Sequence, residues 1–291
     1  MTRAGRHTPP VTGWLRAYPT LIRWQTCLSA SALFVLGSHW QGGRAGLLSV
    51  AVGAAAAWMS VAQAEILNDV VDRGPDSIDK PDRPIPSGVI TVRSALLVYG
   101  ATAVASLLLG FLVSGELGVS MAALVVASAL YCTVLKSTVL VGNALVSAMS
   151  SVPFLLGAHN AAALHPTALL AGLLISLFMF SFELVKTARD VVGDSAAGLT
   201  TVGTVYGVRV ALRWAVAAFV ADCGVALALA CTARRGLAFG STFAVLVALP
   251  VLRRSMTAWS ARNPSPADAA GLFRTLRRLW KYGMLCLVLL V

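Results

Sequence analysis

The amino-acid sequence predicts an all-α polytopic membrane protein with nine transmembrane helices. Of its 291 residues, 57% are hydrophobic and 12% are charged, whereas ordinary soluble domains carry about a quarter charged residues. Apolar runs long enough to cross a hydrocarbon core of about 30 Å recur along the whole chain. Most of the basic residues also fall on one side of the membrane that these runs define. Together these features exclude an ordinary soluble fold.

Nine apolar runs can be followed in order, and each predicts one helix of roughly 20 residues. They lie at 18–38, 45–67, 89–112, 117–135, 139–158, 166–187, 208–230, 236–252 and 271–291. The ninth differs from the rest because its first half is strongly basic, so that this half can lie along the membrane interface. We expect one domain over 1–291, with a cytoplasmic tail at 1–15 and two acid-rich loops at 68–88 and 188–207.

The basic residues orient the helices. If the N-terminus is cytoplasmic and nine helices cross, every one of the 23 Lys and Arg except Arg44, Arg234 and Arg235 lies on the cytoplasmic side. The net charge of +11 then reflects membrane orientation and contact with lipid headgroups, and no nucleic-acid partner is expected. The excess of Arg over Lys, 19 to 4, indicates a GC-rich bacterial genome and hence a bacterial cell membrane.

The acidic residues concentrate in two short segments. Nine of the twelve fall within 65–82 or 183–194. Asn68 and Asp72 are four residues apart and so share a helix face, with Asp69 one step around it. Asp76 continues the spacing, but Gly74-Pro75 disfavours an unbroken helix, so that Asp76 is expected on a bent segment.

In the second segment, Asp190 and Asp194 are again four residues apart, and Glu183 and Lys186 precede them near the same face. Oxygen ligands without His or Cys favour a hard cation such as Mg²⁺, which completes its shell with water and phosphate oxygens. Two such segments facing each other can hold Mg²⁺ and, through it, a diphosphate. The alternative is two solvated loops in which Asp69 or Asp194 caps a helix.

The same residues resemble the signatures of a known family. The order Asn68-Asp69-x-x-Asp72-x-x-x-Asp76, followed by PDRPIPSG at 81–88, is similar to the first signature of the UbiA superfamily of intramembrane prenyltransferases. Asp190-x-x-x-Asp194 resembles the second, and the likeness extends from about 15 to 285. The PDRPIPSG stretch resembles most the branch of geranylgeranylglyceryl phosphate, chlorophyll and homogentisate prenyltransferases.

The resemblance implies nine helices around a central cavity, capped on the cytoplasmic side by the two acidic loops. It also implies Mg²⁺-assisted ionisation of a prenyl diphosphate donor and transfer of the prenyl group to an aromatic or other small, lipid-like acceptor. The implied metal ligands are Asn68, Asp69, Asp72, Asp76, Asp190 and Asp194. The implied catalytic residues are Asp69, Asp72, Asp190, Asp194, Lys136 and Lys186. The implied substrate-binding residues are Asn68, Arg83, Tyr131, Asn143, Glu183, Arg189 and Arg23. Aromatic side chains expected either to shield the allylic cation or simply to pack between helices are Phe154, Phe178, Phe180, Phe182 and Tyr131.

Three departures from the family pattern stand out. Arg23-Trp24-Gln25-Thr26 replaces Arg-Pro-x-Asn in the first helix. Thr187 stands where a further aspartate is common, and Arg189 stands where the most similar branch tends to have an acid. These changes predict an enzyme of specialised metabolism. They also leave two other functions open: a membrane terpene cyclase of the same superfamily, and a non-catalytic carrier that retains the site.

Overall fold

The computed structural model describes residues 17–43, 45–260 and 263–291, and all regular secondary structure within them is helical. The predicted tail, 1–15, lies outside the described residues. In chain order the helices are α1 (Trp24–Ser38), α2 (Leu47–Val71), α3 (Arg73–Asp79), α4 (Val92–Val113), α5 (Gly115–Thr133), α6 (Val141–Ala161), α7 (Pro166–Arg189), α8 (Val191–Ala196), α9 (Val202–Thr232), α10 (Gly236–Phe243), α11 (Leu249–Ser260) and α12 (Pro266–Val288). A π-helical segment, Ala244–Ala248, joins α10 to α11.

Seven stretches in the described residues are long and apolar enough to cross a membrane: α2, α4, α5, α6, α7, α9 and the continuous stretch Gly236–Met256. Lipid-facing side chains are visible on α4, where Leu97 and Leu112 are 75% and 73% exposed. All nine predicted positions are helical. However, α1 has only 15 residues, and α12 carries four basic residues in its middle: Arg274, Arg277, Arg278 and Lys281. The all-α membrane class is confirmed, whereas nine crossings are not.

Paired glycines allow α1 and α6 to approach closely. A Cβ atom on Gly37 would collide with the backbone carbonyl of Phe154, and one on Gly157 would collide with that of Phe34. Small residues at facing positions are the usual way in which membrane helices pack backbone to backbone. Two of the aromatic side chains that the sequence leaves open between a cavity role and a packing role contact other rings. Phe154 is fully buried with its ring edge-on to Trp40, and Phe178 packs on Phe219 and Trp280.

Helix α7 lies at the centre of the second half of the chain, packed along α6, α9 and α12. Its last turn lies so close to the start of α9 that a Cβ atom on Gly203 would collide with the carbonyl oxygen of Thr187. The short helices α3 and α8 also pack against each other. The segments that carry the two acidic motifs therefore meet at one end of the bundle.

Both acidic segments are separated from their spanning helices by breaks. Helix α2 ends at Val71, and α3 begins at Arg73 with Pro75 in its first turn, where a missing N–H costs little. The bent segment predicted from Gly74-Pro75 is therefore present, and the proline-rich stretch after it is irregular, as predicted. In α9 the break is at Gly207, with φ +82° and ψ 166°, a conformation that only glycine adopts without strain.

Asp222 lies in α9 among apolar side chains. It is 0% exposed, and neither carboxylate oxygen has a hydrogen-bond partner in the described residues. A buried polar group without a partner costs about 1–3 kcal/mol in mutational data. Asp222 therefore opposes the packing of the helix that carries it.

We predict that Asp222→Val raises the apparent Tm of the detergent-solubilised protein by a few degrees, since the substitution removes an unpaired carboxyl and leaves an apolar side chain of similar size. Thermal unfolding followed by intrinsic fluorescence measures this. Asp268→Ala is the control, because Asp268 closes a capping box with Ser265 and its loss should lower the Tm. A lower Tm for Asp222→Val would show that the carboxyl has a partner.

Candidate active site

Asp72, at the end of α2, is held by a lysine from a different part of the chain. Asn68, one turn earlier, donates a hydrogen bond from Nδ2 to Asp72 Oδ2 at 3.0 Å. The ammonium of Lys136, in the 3₁₀ turn Leu135–Ser137, contacts the same Oδ2 and donates to Asn68 Oδ1 at 3.2 Å. Asn68 and Asp72 thus share one helix face, as their spacing predicts, and both face α5 and α6 through Lys136.

Arg83 ties the proline-rich loop to the first acidic segment. Its Nη1 donates to Asp69 Oδ1 at 3.1 Å and contacts Asp76 Oδ2. Lys80 Nζ donates to the other oxygen of Asp76 at 3.3 Å. Asp69 and Asp76 are only 4% and 3% exposed, and carboxylates buried to this degree need a paired cation or a metal. The loop therefore supplies cations that pair with these two buried carboxylates.

Arg23 joins the first helix to the same segment. Its Nη2 donates to Asp69 Oδ1 at 2.7 Å, and its Nη1 contacts Glu65. The backbone of Arg23 is left-handed, with φ +48° and ψ 59°, which costs about 1–3 kcal/mol for a residue other than glycine. Such a conformation persists only where the surroundings fix it, and here two ion pairs and the start of α1 do so.

The second acidic segment begins with an ion pair between neighbours. Arg189, the last residue of α7, donates from Nε to Asp190 Oδ1 and from Nη2 to Asp190 Oδ2, both at 2.5 Å. Its guanidinium carbon lies 3.8 Å from the centroid of the Phe273 ring on α12. The ring of Phe273 in turn packs on Phe182 of α7, with centroids 4.6 Å apart.

Asp194 has no cationic partner among the described residues. Its Oδ2 accepts a weak hydrogen bond from the Thr201 hydroxyl at 3.4 Å. Burial, followed by repulsion from Asp190, raises the pKa of Asp194 to about 6, although Lys136 and Lys186 act in the opposite direction.

A second group of charged side chains lies one to two turns before the acidic motifs, within α2 and α7 themselves. Lys186 Nζ donates to the two carboxylate oxygens of Glu183 at 3.0 and 3.3 Å. Tyr131 and Glu65 lie within electrostatic range of this pair. Glu183 is 7% exposed, so its pairing with Lys186 provides the compensation that a buried charge in a spanning helix requires.

The site as a whole is close to electrically balanced by its own side chains. The carboxylates that it contains are Glu65, Asp69, Asp72, Asp76, Glu183, Asp190 and Asp194. The cations are Arg23, Lys80, Arg83, Lys136, Lys186 and Arg189. Crowded carboxylates repel each other unless cations neutralise them, and here the chain itself supplies those cations.

The sequence did not point to every residue of this network. Asn143 is buried in the first turn of α6 but joins none of the ion pairs. Glu65, Lys80 and Phe273 were missed. Glu65 could have been found, because it lies four residues before Asp69 on the same helix face. Phe273 carried no signal in the sequence, since its role depends on how α12 packs against α7.

The donor set suits Mg²⁺. No group of three or more His, Cys, Asp or Glu in the described residues forms a ready-made metal cage. Mg²⁺, however, usually takes one or two carboxylates and completes its octahedron with water and phosphate oxygens. Asp69 and Asp72 each use only one carboxylate oxygen in their ion pairs. Asp194 makes no ion pair among the described residues. These oxygens can bind Mg²⁺ together with a diphosphate.

Known proteins resemble this chain in sequence and in fold. A model of the UbiA prenyltransferase family matches residues 24–280. The digeranylgeranylglyceryl phosphate synthase of Halobacterium salinarum is 37% identical over 205 residues, which cover 68% of this chain and 71% of the relative. A solved structure of a digeranylgeranylglyceryl phosphate synthase superposes with a TM-score of 0.75 at 20% identity, covering 95% of this chain and 98% of its own. A UbiA homolog from Archaeoglobus fulgidus bound to DMAPP and Mg²⁺ gives 0.70 at 17% identity, covering 93% and 99%. The resemblance inferred from the motifs is confirmed.

We predict that Asp194→Asn raises the apparent Tm of the protein in EDTA more at pH 7.5 than at pH 4.5. A pKa raised to about 6 means that the folded protein retains a proton between about pH 4 and 6 that the unfolded chain has lost. The wild-type carboxylate therefore lowers stability as the pH rises through this window, and asparagine removes that loss. Thermal unfolding at both pH values measures it. An equal change in Tm at the two pH values would contradict the raised pKa.

Proposed function

We propose, because the chain belongs to the UbiA prenyltransferase family, that it ionises an allylic prenyl diphosphate between its two acidic segments and transfers the prenyl group to an acceptor in the membrane. The observation that carries this proposal is the packing of α3 against α8. That contact brings both acidic motifs, and the cations paired with them, to one end of an apolar helix bundle.

At the donor end, ionisation breaks the allylic C–O bond and leaves its electron pair on the diphosphate. When bound by oxygens of Asn68, Asp69, Asp72, Asp76, Asp190 and Asp194, Mg²⁺ supplies Lewis-acid neutralisation of that charge. Lys136 and Arg83 present fixed positive charge at the same place. Their donors are already oriented by ion pairs, so that little reorganisation opposes the developing negative charge.

At the acceptor end, the allylic cation forms a new bond to the acceptor, which then loses a proton. The buried carboxylates of Glu183 and Glu65 lie one to two turns before the acidic motifs, with Lys186 and Tyr131 beside them. We assign the acceptor's proton to this group, with Glu183 as its first recipient. The surrounding helices exclude the water that would otherwise capture the cation.

For the acceptor, we propose a prenylated glyceryl phosphate. The relatives of 37% and 36% identity are named digeranylgeranylglyceryl phosphate synthases, and the product in that name carries two geranylgeranyl groups on one glyceryl phosphate. An aromatic acceptor, which the sequence motifs equally allow, is the alternative.

We also propose that α1 and α12 complete nine crossings around a central cavity, with the acidic segments at the cytoplasmic surface. The strong bias of basic residues to that side supports this orientation.

We predict that Asp72→Asn and Asp190→Asn each lower Mg²⁺-dependent turnover by about 100-fold or more, since each removes charge from the diphosphate end of the site. The apparent Tm in EDTA should stay within a few degrees of the wild type. Asp82→Asn is the matched control, because Asp82 is exposed in the same loop and makes no ion pair among the described residues. Wild-type turnover in both site variants would overturn the assignment.

Turnover is measured with C10, C15 and C20 prenyl diphosphates, in Mg²⁺ or in EDTA, with and without geranylgeranylglyceryl phosphate or a panel of phenolic acceptors. We expect a prenylated acceptor by mass spectrometry, formed only with Mg²⁺. A cyclic hydrocarbon formed without acceptor would instead identify a terpene cyclase. No product from any donor and acceptor would favour a non-catalytic carrier.

A further inference from the structure

Asp190 differs from the other motif carboxylates because one side chain holds both of its oxygens, whereas the two oxygens of Asp76 pair with two different cations. A single guanidinium, that of Arg189, engages both of its oxygens at 2.5 Å. Asp69 and Asp72 are each paired through one oxygen only, and Asp194 accepts only a weak hydrogen bond from Thr201. Bidentate Arg–carboxylate pairs are the strong, geometrically specific class of ion pair. A metal ion that approaches Asp190 meets two oxygens already in use.

The guanidinium is fixed by a third contact. Its carbon atom lies 3.8 Å from the centroid of the Phe273 ring, at cation–π distance. Phe273 itself is packed on Phe182, with centroids 4.6 Å apart. Phe182 belongs to the same helix as Arg189, and Phe273 belongs to α12. The arginine is therefore held between a carboxylate on one side and an aromatic pair on the other.

We propose that Arg189 closes Asp190 to divalent metal until a diphosphate draws its guanidinium away, so that metal and diphosphate bind cooperatively at the second acidic segment. The proposal rests on the function proposed above. A diphosphate offers the guanidinium a pair of oxygens that can accept two parallel N–H bonds, as the carboxylate of Asp190 now does. Once the guanidinium has moved, both oxygens of Asp190 are open to the metal.

This arrangement has a thermodynamic signature that does not depend on turnover. If diphosphate increases metal affinity, metal must increase diphosphate affinity by the same factor. Removing the guanidinium of Arg189 removes the group that competes with metal for Asp190. Metal alone should then bind more tightly, and diphosphate should increase the metal affinity by a smaller factor. Arg189 is a positioning residue in this scheme, and a merely structural role would leave the affinity for metal alone unchanged.

The test titrates purified protein with Mn²⁺ alone and follows free Mn²⁺ by electron paramagnetic resonance. We expect Arg189→Ala to bind Mn²⁺ about 10-fold more tightly than the wild type, within the usual range of such couplings. Phe273→Leu keeps the arginine but removes the ring that holds it, and should give a smaller gain. Arg209→Ala is the control, since Arg209 is an exposed arginine at the start of α9 that contacts Asn263; it should match the wild type.

A second titration repeats the measurement with saturating farnesyl thiolodiphosphate, an analogue that does not ionise readily. We expect the analogue to tighten Mn²⁺ binding to the wild type and to do so much less in Arg189→Ala. Adding Asp190→Asn to Arg189→Ala should abolish the gain, which assigns it to Asp190. A different outcome is that the analogue tightens Mn²⁺ binding to the wild type while Arg189→Ala binds Mn²⁺ alone no more tightly than the wild type does. In that case this inference fails and the proposed function stands. If no variant binds Mn²⁺ even with the analogue, both fail.

Discussion

Charge compensation among the site's own side chains is the constraint on which the rest of the structure depends. Seven carboxylates at one end of an apolar bundle would repel each other and would not tolerate burial. Six cations, drawn from the segment before α1, the proline-rich loop, the turn after α5 and the end of α7, prevent this. The pairs that Arg23, Arg83 and Lys136 make also join parts of the chain that are separated in sequence. The same contacts that neutralise the site therefore fix the positions of the helices around it.

The helix bundle determines which residues can take part in this network. Facing glycines bring α1 against α6, and Arg23, just before α1, reaches α2 through its left-handed backbone. Lys136 meets Asp72 because the turn between α5 and α6 lies beside the end of α2. Helix α12 contributes Phe273, through its ring contact with Arg189. The chemistry of the site is thus polar, but its geometry comes from apolar packing.

Much of this could be predicted from the sequence, for identifiable reasons. Helix positions follow from apolar runs, and the acidic faces follow from four-residue spacing, because both signals are local. Ion pairs between distant segments could not be predicted, since Arg83 reaching Asp69 and Lys136 reaching Asp72 depend on how loops fold back over α2. The pair of Glu183 and Lys186 is different, because their spacing of three residues on one helix already allowed it. The number of membrane crossings could not be predicted from the sequence either, because α1 is short and α12 is basic. The cation–π contact of Arg189 depends on tertiary packing alone.

The break at Gly207 divides α9 into a short first turn and a long second part. The turn before it, 202–206, continues the second acidic segment, whereas the long part after it packs in the bundle. Spanning helices adapt to thicker or thinner bilayers mainly by tilting, and an uninterrupted α9 would transmit that tilt directly to Asp194. Because Gly207 has a positive φ, the span after it can tilt in the bilayer without an equal tilt of the turn before it.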